Sequence, residues 1–337
     1  MGYSYLGNAY HSLGKLEEAI EYHNQHLSIA KEVGDRVGEG TAYGLLGGVY
    51  LRLGKFQEAK ECFFSSVEVF DVVRSSLKSQ DAWKISFRHL YRNVYTGLWK
   101  TLLKLDLTDE ALYAAERGRA QALVDSLKIQ YGLTAHPSAS VESKEAISYI
   151  SNKISTKTIF VGLSNNVITF WVIDKENKFE LREIKLVGRS AHEDYVSVLL
   201  ESTLMKVGAG VRVRCENRSL DEPIDDSSSE RGDDQEPAQP LQCTIESLQP
   251  LHDVIIGPIA DLCQGDELII VPDGPLCLAP FSALSESLRI RTVPSLSSLK
   301  LILASPEDYH RKSGALIVGD PCLNNLPMNG VNPSSRN

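Results

Sequence analysis

The residues from 267 to 284 form the pattern in this sequence that most invites a catalytic interpretation. The apolar run LIIV leads into a Pro-Asp-Gly-Pro turn, and Cys277 follows Gly274 by three residues. A cysteine becomes a nucleophile when a neighbouring base, most often histidine, holds it as a thiolate. The segment therefore leaves two alternatives, a nucleophilic Cys277 or a strand and turn from a domain whose chemistry lies elsewhere.

Other candidate groups give weaker signals. Ser282 stands in PFSAL, which lacks the glycines of a nucleophile elbow. The segment 207–213, VGAGVRV, contains a GxG without a preceding strand or the remainder of a dinucleotide-binding motif. The cysteines show neither a CxxC pair nor the spacing of a zinc site, so the sequence predicts no metal site and no cofactor. The six are Cys62, Cys215, Cys243, Cys263, Cys277 and Cys322.

The net charge of −9 is concentrated in one segment. Residues 216–236 hold nine acids and two arginines, a net of −7, which leaves −2 for the remainder of the chain. A nearly neutral remainder gives no indication of a nucleic-acid-binding surface. No apolar run reaches the roughly 18 residues that span a bilayer, and no secretory signal or myristoylation pattern is visible. We therefore expect a cytoplasmic protein that binds neither nucleic acid nor membrane.

The N-terminal part repeats itself with an offset of forty residues. When residues 3–19 are aligned with residues 43–59, nine of the seventeen positions are identical. Leu6, Tyr10 and Leu13 recur at helical spacing and predict one apolar stripe on a helix. Gly14 and its counterpart Gly54 are placed to end that helix in the left-handed conformation that glycine tolerates. The pattern predicts duplicated helical pairs.

This pattern, LG-x2-Y-x2-LG-x-[LF]-x-EA, resembles the tetratricopeptide repeat in its forty-residue variety. The resemblance implies an all-α solenoid with two repeats over residues 1–75. In that family the first helix of each pair lines a groove that holds peptide or protein ligands. The resemblance therefore implies five peptide-binding candidates, Asn8, His11, Arg52, Arg88 and Arg92, for which the alternative is an ordinary solvated side chain. Their mixed basic and neutral character favours an acidic peptide.

Helices continue beyond the two repeats, but the repeat pattern decays. Residues 81–105 place apolar side chains on one helical face, and residues 108–127 begin with a threonine and two acids, which is typical of a helix start. We predict a degenerate helical hairpin over residues 76–134, followed by a linker and short helix over 135–156.

The C-terminal half reads as a mixture of strands and helices. From residue 157, three β-branched and aromatic runs separated by NN and DKENK predict a meander of three strands. Residues 214–242 contain too few large aliphatic residues to fold, so we predict a disordered acidic insertion there. Within it, Ser227 lies three residues before Glu230 and is a candidate for acid-directed phosphorylation. Further apolar strands alternate with helices after the insertion and predict a parallel sheet covered on both faces.

The order LHDVIIGPIADL, GDELIIVPDGPLCLAPFSAL, RIRTVPSLSSL and ALIVGDP resembles the front half of a CHAT domain, the caspase-like domain commonly found behind tetratricopeptide repeats. The resemblance covers residues 157–321 and leaves 322–337 as a disordered tail. It implies a multidomain chain, in which an all-α solenoid precedes the N-terminal part of an α/β caspase-like domain.

The resemblance also decides between the two interpretations of Cys277. The family carries its histidine in a His-Gly motif and its cysteine after the next strand, both beyond the GDP element. No histidine of this chain precedes a glycine. The resemblance therefore implies a buried structural thiol at Cys277, structural or surface positions for His252 and Cys322, and no catalytic residue within the chain.

Two functional hypotheses follow. The first is a non-enzymatic adaptor or scaffold with a catalytically incomplete CHAT domain. The second is a fragment of a CHAT-family cysteine peptidase whose histidine and cysteine lie beyond residue 337. If the sheet stops at the strand Ala315–Val318, that strand has an unpaired apolar edge on which a partner could add a strand.

Overall fold

The computed structural model describes eleven stretches of the chain, from residue 2 to residue 304. They are 2–77, 81–119, 123–124, 144–154, 156–164, 167–174, 179–186, 195–206, 245–263, 265–285 and 287–304. Several predicted features lie outside the described residues: the insertion 214–242 with Ser227, the strand Ala315–Val318, Cys322 and the tail 322–337. The side chains of residues 81–89 also lie outside the description, so that of Arg88 is not placed.

Six helices in succession build the N-terminal part. They are α1 (Gly2–Ser12), α2 (Leu16–Glu32), α3 (Arg36–Arg52), α4 (Phe56–Ser76), α5 (Asp81–Lys104) and α6 (Thr108–Arg117). Neighbouring helices pack on one another in chain order, as expected for stacked helical pairs. The structure thus confirms a helical, repeat-like N-terminal region. Helix α6 ends earlier than the pattern over 108–127 predicted, since Gly118 forms a turn directly after Arg117.

The turn inside each helical pair has the same geometry three times. Gly14 and Gly54 adopt positive φ angles of 76° and 74°. The next amide in each case, that of Lys15 or Lys55, donates to the carbonyl five residues earlier, at 2.9 and 3.0 Å. This arrangement is the Schellman motif predicted for these glycines. Asp106 takes the equivalent place between α5 and α6 with φ 59°, and the Leu107 amide donates to Leu102 at 3.0 Å.

The third helical pair therefore keeps the turn of the repeat although its sequence has lost the glycine. Because an aspartate in the left-handed region carries a steric cost that glycine avoids, we expect Asp106→Gly to raise the free energy of unfolding by about 1 kcal/mol. Urea denaturation would measure the change, and Gly54→Asp should give a loss of similar size. An unchanged or less stable Asp106→Gly variant would contradict this account of the turn.

The first pair differs from the second at the centre of its core. In the second pair the ring of Phe63 lies so close to Gly47 that a Cβ added there would be 2.9 Å from it. The ring of His23 holds the same place beneath Gly7, where an added Cβ would be 2.4 Å from it. His23 is fully buried. Both ring nitrogens of His23 lack a hydrogen-bond partner among the described residues. The forty-residue repeat has thus put an imidazole where its sister repeat has a phenyl ring.

A five-stranded mixed sheet forms the second part, with the order β3-β2-β1-β4-β5. Its strands are β1 (Lys157–Ser164), β2 (Val167–Ile173), β3 (Phe179–Lys185), β4 (Glu267–Val271) and β5 (Arg289–Thr292). The first three strands pair antiparallel, which confirms the predicted meander, whereas β4 pairs parallel with both β1 and β5. The pairings of β4 agree with the parallel arrangement predicted for the strands after the insertion, and the antiparallel meander makes the sheet as a whole mixed.

Helices cover both faces of the sheet. They are α7 (Lys144–Lys153), α8 (Tyr195–Lys206), α9 (Ile245–Ile255) and α10 (Leu296–Ala304). On one face, side chains of β1, β2 and β4 pack with α8 and α9. Alternate side chains of the same strands point to the other face and share a core with α7 and α10.

That second core extends into the helical array without a break. It contains Trp99 and Leu102 of α5 and Leu112 of α6 together with Trp171 of β2. The rings of Trp99 and Trp171 meet edge to face, with centroids 5.5 Å apart. Residues 1–304 accordingly form one compact unit. The predicted division into a hairpin over 76–134 and a sheet domain from residue 157 stays a prediction, although one core crosses it.

No described helix combines the length and the apolar character needed to cross a bilayer.

Candidate protein-interaction site

The outer surface of α1 is apolar and carries no formal charge. Apart from His11, none of its side chains is ionisable near neutral pH, since the helix reads GYSYLGNAYHS. Tyr5 is 71% exposed and Leu6 46% exposed, and Leu13 directly after the helix is 73% exposed. Uncharged surfaces rich in tyrosine and leucine are typical of contact sites between proteins.

Two of the predicted binding residues lie on this surface, and a third lies beside it. Asn8 is exposed, and His11 is half-buried one turn further along α1. Arg52 at the end of α3 donates to the backbone carbonyl of His11 at 2.6 Å, so it joins the first two helical pairs. Gly48, the counterpart of Asn8, faces open space, because a Cβ added there would meet nothing within 4 Å. We call the surface of Tyr5, Asn8, Gly48 and Arg52 the first-helix face.

The electrostatics of this face are weakly positive. Burial first, and the nearby Arg52 second, lower the pKa of His11 below its ordinary value. His11 is therefore held neutral, and the guanidinium of Arg52 is the formal charge of the first-helix face. This arrangement suits a ligand that is apolar with carbonyl or carboxylate acceptors.

Arg92 does not join the first-helix face. Its guanidinium lies 3.4 Å from the carboxylate of Asp273, which follows β4 across the junction between the helical array and the sheet. The structure therefore separates the predicted set: Asn8, His11 and Arg52 lie together, whereas Arg92 lies at the junction.

Arg119 is the centre of that junction and was not among the predicted residues. It follows the turn that closes α6 and is 5% exposed. Its guanidinium donates to the carbonyls of Val271 and Pro272, at 3.1 and 2.9 Å, and to that of Val161. It also lies over the ring of Phe160, 3.9 Å from its centroid. One arginine of the helical array thus binds the carboxyl ends of two neighbouring strands, β1 and β4.

Glu116, three residues earlier, makes the second attachment. Its carboxylate accepts hydrogen bonds from the amides of Leu296 and Ser297, at 3.0 and 2.7 Å, and so caps the N-terminus of α10. Burial raises the pKa of Glu116, while these amides and Arg119 favour its charged form. We call Glu116 and Arg119 together the junction clamp. Its sequence signal is the charged segment ERGR, which follows the apolar run ALYAA at the end of α6.

Asp273 connects the clamp to Arg92. Its carboxylate accepts from the amide of Leu163 at 3.0 Å and lies 3.6 Å from the guanidinium of Arg119. The Pro-Asp-Gly-Pro turn that the sequence placed before Cys277 therefore serves the junction. Its aspartate receives an amide of β1 and two guanidiniums of the helical array.

The candidate nucleophiles lie in two 3₁₀ turns and a helix. Cys277 lies in the first 3₁₀ turn (Gly274–Leu278), with its sulfur 3.8 Å from the carbonyl of Pro272. The residue is exposed, so the prediction of a buried thiol is wrong, because the turn that follows β4 faces solvent at this position. His252 lies within α9, beside Asp253 at 3.3 Å. Ser282 is exposed in a second 3₁₀ turn (Phe281–Ala283). Within the described ranges, no group of three or more potential ligands could hold a metal ion.

A further pocket of about 320 Å³ lies among α4, α5 and α6. Its lining is largely apolar, with Phe64, Leu98 and Leu102, and Lys60 and Glu110 form an ion pair across its border at 3.4 Å. It lies on the second helices of the pairs, away from the predicted residues.

Stacked helical pairs with an exposed, uncharged first helix define a helical-repeat protein of the kind that binds other proteins. The tetratricopeptide-repeat family matches residues 1–71. The human (Homo sapiens) G-protein-signaling modulator 1 is 48% identical over 60 residues, which are 18% of this chain and 9% of that protein. The match therefore spans a small part of this relative's length. No solved structure matches the chain.

Proposed function

We propose that the protein is a non-enzymatic adaptor that binds peptides or proteins through the first-helix face. The observation that carries the proposal is the match of residues 1–71 to the tetratricopeptide-repeat family together with the stacked helical pairs of this region. Such arrays act by holding a ligand against successive first helices. The name of the human relative refers to modulation of G-protein signalling, which is compatible with an adaptor in a signalling assembly.

We further propose that the sheet region is the N-terminal part of a CHAT domain and that the protein acts in the cytoplasm, as do the animal proteins of tetratricopeptide repeat protein 28 type that the sequence resembles. The PDGP segment supports the first point, since it follows a central strand and turns directly into 3₁₀ segments. In this proposal the sheet region supports the array through the junction clamp and has no catalytic task.

Site-specific photo-crosslinking tests the adaptor function. A photoreactive side chain at Asn8 should capture a partner, whereas the same group at Glu68, which is exposed on α4, should not. Binding of the partner so identified should then weaken at least about tenfold in Tyr5→Ala, because aromatic anchors carry much of the energy of such interfaces.

Equal capture from both positions, or none from Asn8, would contradict binding on the first-helix face. The captured partner also tests the alternative of a peptidase. We expect it to remain intact during incubation with the chain, and cleavage that disappears in Cys277→Ser would overturn the non-enzymatic proposal.

A further inference from the structure

A small crevice opens where the helical array meets the sheet. Arg92 and Thr96 of α5, Gly118 and Arg119 after α6, and Asp273 after β4 contribute to its lining. It has about 20 Å³ of free space, which accommodates a water-sized group. The crevice lies where β4 ends, beside the last residues of β1, which extends past β4.

Two arginines and two carboxylates set the charge at the crevice. The guanidiniums of Arg92 and Arg119 face the carboxylate of Asp273, at 3.4 and 3.6 Å. Asp273 also accepts a hydrogen bond from the Leu163 amide. Arg119 interacts in addition with the buried carboxylate of Glu116, so the four ionised side chains carry no net charge, and Arg92 is the more exposed of the two guanidiniums.

The two arginines differ in how many of their N–H donors form hydrogen bonds. Arg119 is buried, and its donors are taken up by the carbonyls of Val161, Val271 and Pro272. Arg92 makes one long contact, the 3.4 Å ion pair with Asp273, among the described residues, and its side chain is 33% exposed. A guanidinium has five N–H donors, so Arg92 retains most of its capacity to bind a ligand that reaches it from solvent.

The backbone next to Arg92 is shaped to leave this guanidinium room. Gly274 has a positive φ of 54°, and a Cβ added to it would lie 2.9 Å from a terminal nitrogen of Arg92. Any larger residue would therefore both strain the turn and push Arg92 aside.

We propose that this crevice binds a carboxylate of a peptide ligand, with Arg92 as the charged residue that holds it. The planar guanidinium matches a carboxylate in shape and can donate two parallel hydrogen bonds to it. The small volume and the neighbouring carboxylate of Asp273 disfavour a phosphate, which is larger and carries nearly twice the charge. The inference rests on the proposed peptide-binding function for the source of the carboxylate, but the crevice itself can be tested without a partner.

Sodium acetate is the first probe. In NMR spectra of the ¹⁵N-labelled full chain, the Arg92 side-chain Nε–H and the Gly118 amide should shift saturably with acetate while chloride keeps the ionic strength constant. In Arg92→Gln the Gly118 response should require at least about tenfold more acetate, because a charged, bidentate hydrogen bond is lost. The acetate concentration that Arg92→Lys requires should lie between those of the parent chain and Arg92→Gln, since lysine keeps the charge but cannot donate two parallel hydrogen bonds. Arg36→Gln, which changes an arginine of α3 that pairs with Glu39 at 2.6 Å and belongs to neither proposed site, should respond as the parent chain does.

Three results would overturn the proposal: a shift that chloride reproduces, a phosphate affinity equal to that of acetate, or an unchanged response in Arg92→Gln. Thermal melting of each variant shows whether it is folded, and if Arg92→Gln is not, Arg92→Lys supplies the comparison. Acetyl-glutamate amide and acetyl-alanine with a free carboxyl group then distinguish a side-chain carboxylate from a chain terminus. Binding of acetate without either compound would refute a peptide ligand in the crevice while leaving the first-helix face as a separate question.

Discussion

Replacing Arg119 by alanine is expected to lower the free energy of unfolding by about 3–5 kcal/mol, since it removes one partner of a buried, charged network. The change leaves the carbonyls of Val161, Val271 and Pro272 without this donor and takes a cation away from Asp273. Because one core crosses the junction, we also expect the single unfolding transition of the chain to separate into two. Urea denaturation followed by circular dichroism would measure both effects.

Arg117 is a matched control two residues away. It pairs with Asp71 at 2.6 Å, but its side chain is 28% exposed, so Arg117→Ala should cost about 1 kcal/mol or less and leave one transition. The free energy of unfolding of Arg119→Lys should be closer to that of Arg119→Ala than to that of the parent chain, because an ammonium cannot donate to several carbonyls in one plane. An Arg119→Ala variant as stable as Arg117→Ala would show that the junction clamp does not hold the two regions together.

Replacing His23 by phenylalanine is expected to make the first helical pair more stable and less sensitive to acid. Burial, and the neighbouring His11 and His26, lower the pKa of His23 to about 4. An unfolded histidine titrates near 6.5, so the stability that neutral His23 permits is complete above that pH and falls as pH decreases towards 4. The loss over this range is about 3 kcal/mol for the 2.5-unit difference in pKa.

The groups around His23 offer little to offset its protonation. Arg52 acts on His11, and Asp35 is an acid that acts on His26. The Asp35 carboxylate already accepts a hydrogen bond from the Gly38 amide at 2.8 Å, as the N-cap of α3. The influences on His23 itself are burial and the two neighbouring imidazoles, and all of them oppose its protonation.

Phe63 shows that a phenyl ring suits this position of the repeat. At neutral pH, His23→Phe should gain about 1–2 kcal/mol because two unpaired buried nitrogens disappear. Amide hydrogen exchange of α2 at pH 7 and pH 5 would report the local stability. The reciprocal Phe63→His should lose stability at neutral pH and acquire the acid sensitivity that His23→Phe loses. An α2 whose exchange protection responds equally to pH in the parent chain and in His23→Phe would contradict the assignment.

The sequence was most informative where the structure is local. A forty-residue offset predicted the helical pairs and the conformation of Gly14 and Gly54, because a helix and its cap depend on residues within a few positions. The same logic predicted the third helical pair but not its turn, since an aspartate gives no indication of the positive φ that Asp106 adopts. The three-strand meander was predicted for a similar reason, because its turns lie between adjacent strands.

The candidate site was less predictable because its contacts are distant in sequence. Arg92 and Asp273 are separated by 181 residues, so nothing in the sequence near Arg92 indicates that it forms an ion pair with a residue of the sheet region. Glu116 and Arg119 read as surface charges of an amphipathic helix until the packing buries them. The pattern could place Asn8, His11 and Arg52 on first helices, but whether they bind a peptide stays a prediction.

The junction clamp also has a consequence for the folding of the protein during its synthesis on the ribosome. The carboxylate of Glu116 is separated by 180 residues from the first amide that it caps. At typical rates of synthesis this corresponds to roughly 10 to 35 seconds during which the helical pairs can fold while α10 does not yet exist. The meander of β1 to β3 is synthesised before β4 and α10, so the sheet-facing side of α5 and α6 first meets an incomplete sheet. We expect the Glu116 carboxylate to stay hydrated until Leu296 and Ser297 have been made, because burying an unpaired charge is costly. Closing of this cap would then be one of the last steps in forming the junction.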